Sequence, residues 1–321
     1  MSKIAVIGAT GHIGTYLIPR LVMAGHEVIG VSRGRAQPYQ PSAVWKHVTM
    51  VNIDRDAEES RGNFGHTIAN LGADIVVDCI CFTIESHNQL ADALQGQVSH
   101  FIHVGTIWTH GVSTVVPTPE SAVKFPFGDY GVAKAAIEAD LLRRAAFEQF
   151  PATIVHPGHI VGPGWAPLNP AGHFNPAAFS TIAAGNELAL ANFGLETVHH
   201  VHADDVAQVI VRAIDNRTAS VGEAFHAVSG AAVTLRGYAE AMYRWFGHEP
   251  RLRFAPFEQW ASEQDADEAR ATWEHIARSP NCSIEKGRKL LGYAPRYTSL
   301  EAVQESVTWL IANGQVTGPV R

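Results

Sequence analysis

Tyr130 and Lys134 are the residues of this chain whose types and spacing could move a proton. Four residues apart on a helix, they would share one face. A nearby ammonium favours the phenolate and so lowers a tyrosine pKa that is ordinarily about 10. A tyrosine tuned in this way can donate or accept a proton near neutral pH. The hydroxyl of Thr106 both donates and accepts hydrogen bonds, so it could hold the same substrate oxygen. Many helices contain such a pair by chance, so the pair alone does not establish chemistry.

The elements that would position these side chains follow a regular alternation. The helix that begins at Tyr130 is predicted to run to about residue 147, and apolar runs alternate with helical stretches before it. The predicted strands cover residues 3–7, 26–31, 48–53, 74–81 and 100–105. The fourth run is almost continuously apolar, which is typical of a parallel strand covered on both faces. This alternation predicts an α/β fold, a doubly wound parallel sheet with right-handed crossovers.

A glycine-rich bend follows the first strand directly. Gly8, Gly11 and Gly14 lead into a helix predicted over residues 13–24. A strand, a glycine bend and a helix N-terminus together form a phosphate site, because free N–H groups and the positive end of the helix dipole meet there. The spacing is GxxGxxG rather than GxGxxG, so it fits the dinucleotide fingerprint only loosely. Ordinary loops between a strand and a helix also use glycine, so the bend alone does not establish a dinucleotide site.

The end of the second strand carries arginine where an NAD site would carry an acid. Ser32 and Arg33 occupy this position, and no carboxylate is present there. A guanidinium suits the 2′-phosphate of NADP, so NADP is favoured over NAD. A solvated loop arginine is the alternative. Asp54 ends the third strand, where a carboxylate can bond the adenine amine or simply cap a helix.

Composition narrows the function classes. The 321 residues are 46% hydrophobic and 17% charged, with a net charge of −7 and no basic stripe, which argues against a nucleic-acid partner. Three cysteines make no disulfide framework, and no apolar run is long enough to cross a membrane. The N-terminus enters the first strand at once, which predicts no signal peptide. These features predict a cytoplasmic protein that does not associate with a membrane.

These motifs in combination resemble the short-chain dehydrogenase/reductase superfamily. The length and the C-terminal half resemble its extended branch, which includes sugar-nucleotide epimerases and dehydratases. Besides the glycine bend, Thr106 and the Tyr130–Lys134 pair, four further segments carry the resemblance: residues 154–164, 201–207, 225–247 and 283–310. The likeness covers nearly the whole chain.

The resemblance implies a Rossmann domain over residues 1–157 and 203–229, with a smaller α/β substrate cap over residues 158–202 and 230–321. It implies that Tyr130 is the acid/base, that Lys134 bonds the nicotinamide ribose and tunes the phenol, and that Thr106 orients the substrate oxygen. The implied cofactor contacts, besides Tyr130 and Lys134, are Gly8, Thr10, Gly11, His12, Ile13, Arg33, Asp54, Cys79, Ile80, Cys81, Val104, Pro157 and Gly158.

The substrate half departs from the family pattern. An arginine that often grips a sugar-nucleotide diphosphate is replaced by residues 198–200, Val-His-His, and a neutral imidazole cannot replace a bidentate guanidinium. Arg270 and Arg278 are possible second anion contacts, and residues 258–270 form an acidic helix or lid. The expected substrate contacts, which could instead merely pack the loop, are Trp108, His159, Trp165 and His200. The nearby histidines lack a complete ligand set, so no metal is expected.

The sequence therefore predicts an NAD(P)-dependent enzyme, an oxidoreductase or epimerase. It would transfer hydride at a hydroxyl or ketone carbon of a carbohydrate-like small molecule. Two alternatives remain open: an NADPH-dependent reductase of a non-sugar ketone or aldehyde, and a non-catalytic cofactor-sensing or RNA-associated protein on the same fold. The resemblance also implies a homodimer that pairs through the helix after strand four and the tyrosine-bearing helix.

Overall fold

Residues 1–319 are described in the computed structural model, and they form thirteen strands and thirteen α-helices. The strands are β1 (Lys3–Ile7), β2 (Glu27–Ser32), β3 (Thr49–Asn52), β4 (Ile75–Asp78), β5 (His100–Val104), β6 (Ala152–Pro157), β7 (His159–Val161), β8 (Leu188–Ala191), β9 (Thr197–Val198), β10 (His200–His202), β11 (Glu223–Ala227), β12 (Val233–Thr234) and β13 (Leu252–Ala255). The helices are α1 (His12–Met23), α2 (Arg55–Glu59), α3 (Phe64–Ala69), α4 (Ile84–Leu94), α5 (Asp129–Phe147), α6 (Ala177–Ala183), α7 (Ala203–Asp215), α8 (Arg217–Ser220), α9 (Leu235–Trp245), α10 (Phe257–Ala261), α11 (Ala266–Arg278), α12 (Glu285–Leu291) and α13 (Ser299–Ala312).

The central sheet has seven strands in the order β11-β6-β5-β4-β1-β2-β3, and every neighbouring pair is parallel. The strand order reverses beside β1, so the crevice at the carboxyl ends of β1 and β4 is where such a fold binds its ligand. Apolar side chains cover both faces of the sheet. Leu17 and Ile210 belong to the cluster on one face, and Phe64 and Leu141 belong to the cluster on the other. The predicted doubly wound α/β fold is confirmed.

A third hydrophobic cluster is formed by residues of the C-terminal half of the chain. Phe179, Tyr238, Phe246 and Trp260 are buried in it, and α9 and α13 pack together there. Three short strand pairs, β7–β10, β8–β13 and β9–β12, lie outside the central sheet. This separate core supports the two-part division, which stays a prediction in its boundaries. Residues 320–321 of the expected cap lie outside the described residues.

Two sequence expectations differ from the structure locally. Strand β4 ends at Asp78 rather than at residue 81, because the Asp78 carboxylate turns to accept bonds from Arg55 (2.9 and 3.0 Å) and from the N–H of Ile80 (3.1 Å). Of the two alternatives for the acidic segment after residue 258, the structure has helices rather than a free lid, because Trp260 is fully buried and α11 packs against the third hydrophobic cluster through Ala269 and Ile276. Among residues 1–319, no helix is both long enough and apolar enough to span a bilayer.

Gly14 sets the distance between α1 and the bend that precedes it. A Cβ at this position would overlap the Ala9 carbonyl group and lie 2.6 Å from the Gly8 carbonyl oxygen. Because both neighbours are backbone, neither can rotate away. The glycine therefore allows the first turn of α1 to pack directly on the bend.

We expect Gly14→Ala to lower the free energy of unfolding by about 1–3 kcal/mol, since overpacking forces the backbone to shift. The matched control is Gly230→Ala, because a Cβ at Gly230 would meet no atom within 4 Å. The two variants should be compared by urea denaturation. Equal stabilities of the two variants would contradict this account of the bend.

Candidate active site

Two adjoining cavities form a crevice along the carboxyl ends of the central strands. One, of ≈ 320 Å³, contains Thr106, Tyr130 and Lys134 together with Gly8 and Gly11. The other, of ≈ 430 Å³, is lined by the same two glycines and extends to the end of β2. The crevice thus joins the glycine bend to the tyrosine-bearing helix, as the order of strands requires.

Lys134 is fixed by the backbone at the floor of the crevice. Its ammonium donates to the carbonyl oxygens of Cys81 (2.6 Å) and Val104 (2.8 Å). Burial lowers the pKa of Lys134 to about 8, although the nearby Cys81 and Asp78 oppose that shift. An ammonium has three donors, so one is left beyond these two carbonyls.

Tyr130 differs from the sequence expectation in its acidity. Burial raises the pKa of Tyr130, and a hydrogen bond with Thr106 only partly opposes that rise. The Lys134 ammonium lies 5.9 Å from the centroid of the Tyr130 ring and is occupied by carbonyl oxygens, so it does not reverse the shift. The expected lowering of the phenol pKa was therefore wrong, and Tyr130 holds its proton at neutral pH.

The glycine end of the crevice has the features of a phosphate site. Gly8 has φ +88°, a conformation that favours glycine, and Gly11 precedes the first residue of α1. His12 and Ile13 line the ≈ 320 Å³ cavity, whereas Thr10 lines the ≈ 430 Å³ cavity. The His12 ring stacks on Trp165 with centroids 5.0 Å apart, and neither of its ring nitrogens has a partner within residues 1–319.

At the end of the crevice near β2, one of the two expected cofactor contacts lines the cavity and the other does not. Arg33 lines the ≈ 430 Å³ cavity, and its side chain is exposed. Asp54 is placed differently from the expectation, because its carboxylate caps α2 through the N–H of Ala57 (3.4 Å) and pairs with Arg35 (3.2 Å). The residues beside it, Ile53 and Asp56, line the cavity instead.

In the segment after β4, likewise, some of the expected cofactor contacts line the cavity and one does not. Cys79 and Ile80 line the ≈ 320 Å³ cavity, as do Val104, Pro157 and Gly158. Cys81 was expected to run along the cofactor through its backbone. Cys81 is fully buried and does not line this cavity, and its carbonyl oxygen accepts the bond from Lys134. The backbone at Cys81 therefore supports the site from behind Lys134.

Sequence reasoning missed a buried pair behind Thr106. The N–H of Thr106 donates to His156 Nδ1 (3.0 Å), so a neutral His156 carries its proton on Nε2, which lies 3.1 Å from Glu138 Oε1. Glu138 also pairs with Lys124. Burial alone would raise the pKa of Glu138, but His156 and Lys124 outweigh it and lower the pKa to about 2. The four-residue step from Lys134 to Glu138 was a signal that could have revealed the pair.

Trp108 connects the tyrosine to a group of aromatic and imidazole rings. Its ring centroid lies 5.9 Å from that of Tyr130, 6.1 Å from that of His159 and 5.1 Å from that of His275. His200 lies behind His159 at 6.2 Å. The sequence analysis did not identify His275. This residue lies on the buried face of α11, and the packing of the acidic stretch before it could not be predicted from the sequence.

Both arginines offered as anion contacts already have other partners in this structure. The Arg278 guanidinium lies between the rings of Trp108 (3.7 Å) and Phe127 (3.8 Å), and it donates to the carbonyl oxygens of Glu274 and Phe127. Arg270 pairs with Asp267 one turn earlier on α11. Among residues 1–319, no group of three or more His, Cys, Asp or Glu side chains is arranged to hold a metal ion.

The crevice fits a dinucleotide on its own chemistry. The glycine bend supplies backbone N–H groups at a helix N-terminus. Within residues 1–319 the two His12 ring nitrogens have no hydrogen-bond partner. At the tyrosine end of the crevice, Lys134 has one N–H donor that is not used by a carbonyl oxygen. Fold and site together define a dinucleotide-dependent enzyme.

Comparison with known proteins identifies the family. Residues 4–227 match the family described as "NAD dependent epimerase/dehydratase family", and the chain belongs to it. The 2′-dehydrokanamycin reductase of Streptomyces kanamyceticus is 26% identical over 98% of this chain and 86% of its own length. The UDP-glucose 4-epimerase of Mycolicibacterium smegmatis is 26% identical over 94% and 96%. The UDP-glucuronic acid 4-epimerase of Bacillus cereus, solved with UDP-glucuronic acid and NAD, has a TM-score of 0.71 at 16% identity, over 97% of this chain and 99% of that chain.

The depressed pKa of Glu138 predicts a specific dependence of stability on pH. A carboxylate whose pKa is lowered on folding stabilises the folded state above its ordinary pKa of 4.5 and loses this effect as the pH falls towards about 2. We expect Glu138→Gln to lower the free energy of unfolding at neutral pH by on the order of 3 kcal/mol, with the difference from wild type shrinking over that acidic window.

The control is Glu285→Gln, because Glu285 is exposed and its pair with Arg288 contributes little. Denaturation midpoints for the three proteins should be measured across the pH range. A difference between wild type and Glu138→Gln that stays constant down to pH 3 would exclude the proposed electrostatic origin.

Proposed function

We propose that this enzyme transfers hydride between a nicotinamide cofactor and a hydroxyl or ketone carbon of a carbohydrate-like small molecule. The observation that carries the proposal is the position of Tyr130, which lines the same cavity as Thr106, Lys134 and the glycine bend. A proton donor and a dinucleotide phosphate site therefore share one crevice.

In this proposal the cofactor supplies the hydride, and the chain supplies position and the proton. The phenol of Tyr130 exchanges a proton with the substrate oxygen, and Thr106 holds that oxygen through its hydroxyl. The remaining donor of Lys134 binds a ribose hydroxyl of the cofactor. The phenol gives its proton to the substrate oxygen in the reduction of a ketone and takes a proton back in the reverse oxidation.

For the cofactor we propose a preference for NADP. Arg33 lines the ≈ 430 Å³ cavity where β2 ends and is exposed, whereas Arg35 is paired with Asp54 and the buried Arg55 is paired with Asp78 and Glu59, so we assign the 2′-phosphate to Arg33. Asp56 lines the same cavity and opposes this preference. The arginine prevails in the proposal because β2 itself ends without a carboxylate.

The reductase outcome and the epimerase outcome use the same residues. Arg33 and the absence of an acid at the end of β2 favour a reductase, whose oxidised cofactor leaves after each turnover, whereas an epimerase retains its cofactor. Measuring whether the cofactor co-purifies with the protein or exchanges freely separates the two. Composition and resemblance further support a cytoplasmic homodimer that pairs through α4 and α5.

We expect Tyr130→Phe to reduce turnover by at least ~10²-fold while leaving cofactor affinity unchanged, since only the proton transfer is removed. Tyr297→Phe is the control, because the ring of Tyr297 stacks on His202, away from Tyr130. Turnover should be followed by nicotinamide absorbance, and affinity by titration calorimetry. Near-normal turnover of Tyr130→Phe would remove the assigned role.

We expect Arg33→Asp to weaken NADP binding by roughly 10- to 100-fold, the cost of one charge-assisted hydrogen bond, and to spare NAD binding. Arg61→Asp makes the same change of charge at an exposed residue that follows α2, and it should leave both affinities unaltered. Calorimetric titrations of each variant with both coenzymes provide the measurement. Parallel losses of NADP and NAD affinity would argue against a 2′-phosphate contact.

A further inference from the structure

Three imidazoles, two buried and one half-buried, lie close together near Trp108. His159 on β7, His200 on β10 and His275 on α11 come together, with ring centroids 4.7 Å apart for His159 and His275 and 6.2 Å apart for His159 and His200. Within residues 1–319, His159 Nε2, His200 Nδ1 and His275 Nε2 have no hydrogen-bond partner. Buried polar atoms are rarely left unpaired, so these nitrogens point to a ligand or ordered water.

The backbone fixes the hydrogen-bonding role of two of these rings. A carbonyl oxygen can only accept, so His200 Nε2 must donate to Leu168 (3.2 Å) and His275 Nδ1 must donate to Ala271 (2.5 Å). In the neutral rings, His200 Nδ1 and His275 Nε2 are then acceptors. Both nitrogens therefore suit the O–H groups of a ligand.

All three rings are uncharged at neutral pH. Burial lowers the pKa of His200 to about 3, and it lowers the pKa of His275 to about 4 against the effect of the Ala271 and Gly172 carbonyls. Burial, followed by the neighbouring His275 and His200, holds the pKa of His159 well below its usual value. The cluster consequently offers hydrogen bonds and no positive charge.

The cations near the cluster already donate most of their hydrogen bonds to backbone carbonyls, although Arg278 Nε has no partner within residues 1–319. Arg278 is 1% exposed, covered on both faces by aromatic rings and bonded to carbonyl oxygens. Lys134 donates two of its bonds to backbone carbonyls. A diphosphate is bound best by bidentate guanidinium groups, and moving its charges into a site of neutral rings carries a large desolvation cost.

Aromatic rings pack against the imidazoles. Phe174 packs on His159 and His275 with centroids 6.5 and 5.5 Å apart, and Trp108 connects the cluster to Tyr130. Mostly apolar walls with a few convergent polar atoms are typical of small-molecule sites. These rings and unpartnered nitrogens therefore suit a ligand ring with apolar faces and hydroxyl groups at its edge.

We propose that His159, His200 and His275 bind the hydroxyl groups of an uncharged ring, so that the substrate is a free or glycosidically linked polyol and carries no nucleoside diphosphate. This inference rests on the proposed function, because it names the substrate class of the same active site. Hydride would leave or reach a ring carbon beside Tyr130, while the imidazoles hold the hydroxyls further in.

The test uses the enzyme loaded with NADP and two sets of probes: uncharged cyclitols and methyl glycosides, and UDP-glucose with dTDP-glucose. We expect turnover with members of the uncharged set and none with the nucleotide sugars, at concentrations up to about 10 mM, tenfold above the usual range of KM. His275→Phe keeps the ring and removes its nitrogens, so KM for the uncharged substrate should rise about tenfold with little change in kcat. His66→Phe, at an exposed residue of α3, is the control.

Nitrogen NMR of the histidine rings in the wild-type enzyme avoids any folding defect of the variant. An uncharged probe should shift the ring-nitrogen signals of the cluster, and UDP should not. Turnover of UDP-glucose or dTDP-glucose at a lower KM than any uncharged probe overturns the inference. If Tyr130→Phe abolishes that turnover, the proposed function itself stands. Unshifted ring signals with every uncharged probe also overturn the inference.

Discussion

The rest of the site depends on the buried ammonium of Lys134 and the two carbonyl oxygens that accept its bonds. Cys81 follows β4 and Val104 ends β5, so this one side chain ties α5 to the carboxyl edge of the sheet. An ammonium shielded from water is costly unless it is hydrogen-bonded, and these carbonyls supply the bonds. With Lys134 fixed, Tyr130 is held one turn earlier at the mouth of the crevice and Glu138 one turn later in the interior.

One face of α5 therefore places three side chains in three different environments. Tyr130 is 41% exposed and reaches the crevice, Lys134 touches the ends of two strands, and Glu138 is buried beside His156. His156 in turn accepts the N–H of Thr106, so the backbone that carries the Thr106 hydroxyl is positioned by a residue of the neighbouring strand. Buried polar groups of this kind specify one arrangement, because an unpaired member would be expensive.

Much of this architecture could be predicted from local sequence. The alternation of apolar and helical runs located the strands, and α5 and α1 begin within a residue or two of their predicted starts. What could not be predicted depends on burial and on partners distant in sequence. Asp54 pairs with Arg35, and His275 lies beside Trp108 only because α11 packs there. Rules based on the spacing of residues in the sequence do not predict those contacts.

The central claim is that a nicotinamide ring lies beside Tyr130 at the end of the crevice lined by Trp165. The most direct measurement is energy transfer from the tryptophans to reduced coenzyme during a titration with NADPH and with NADH. The account predicts saturable quenching of tryptophan fluorescence, with one coenzyme bound per chain. Unquenched tryptophan fluorescence with both coenzymes, in a protein shown to be folded, would contradict it.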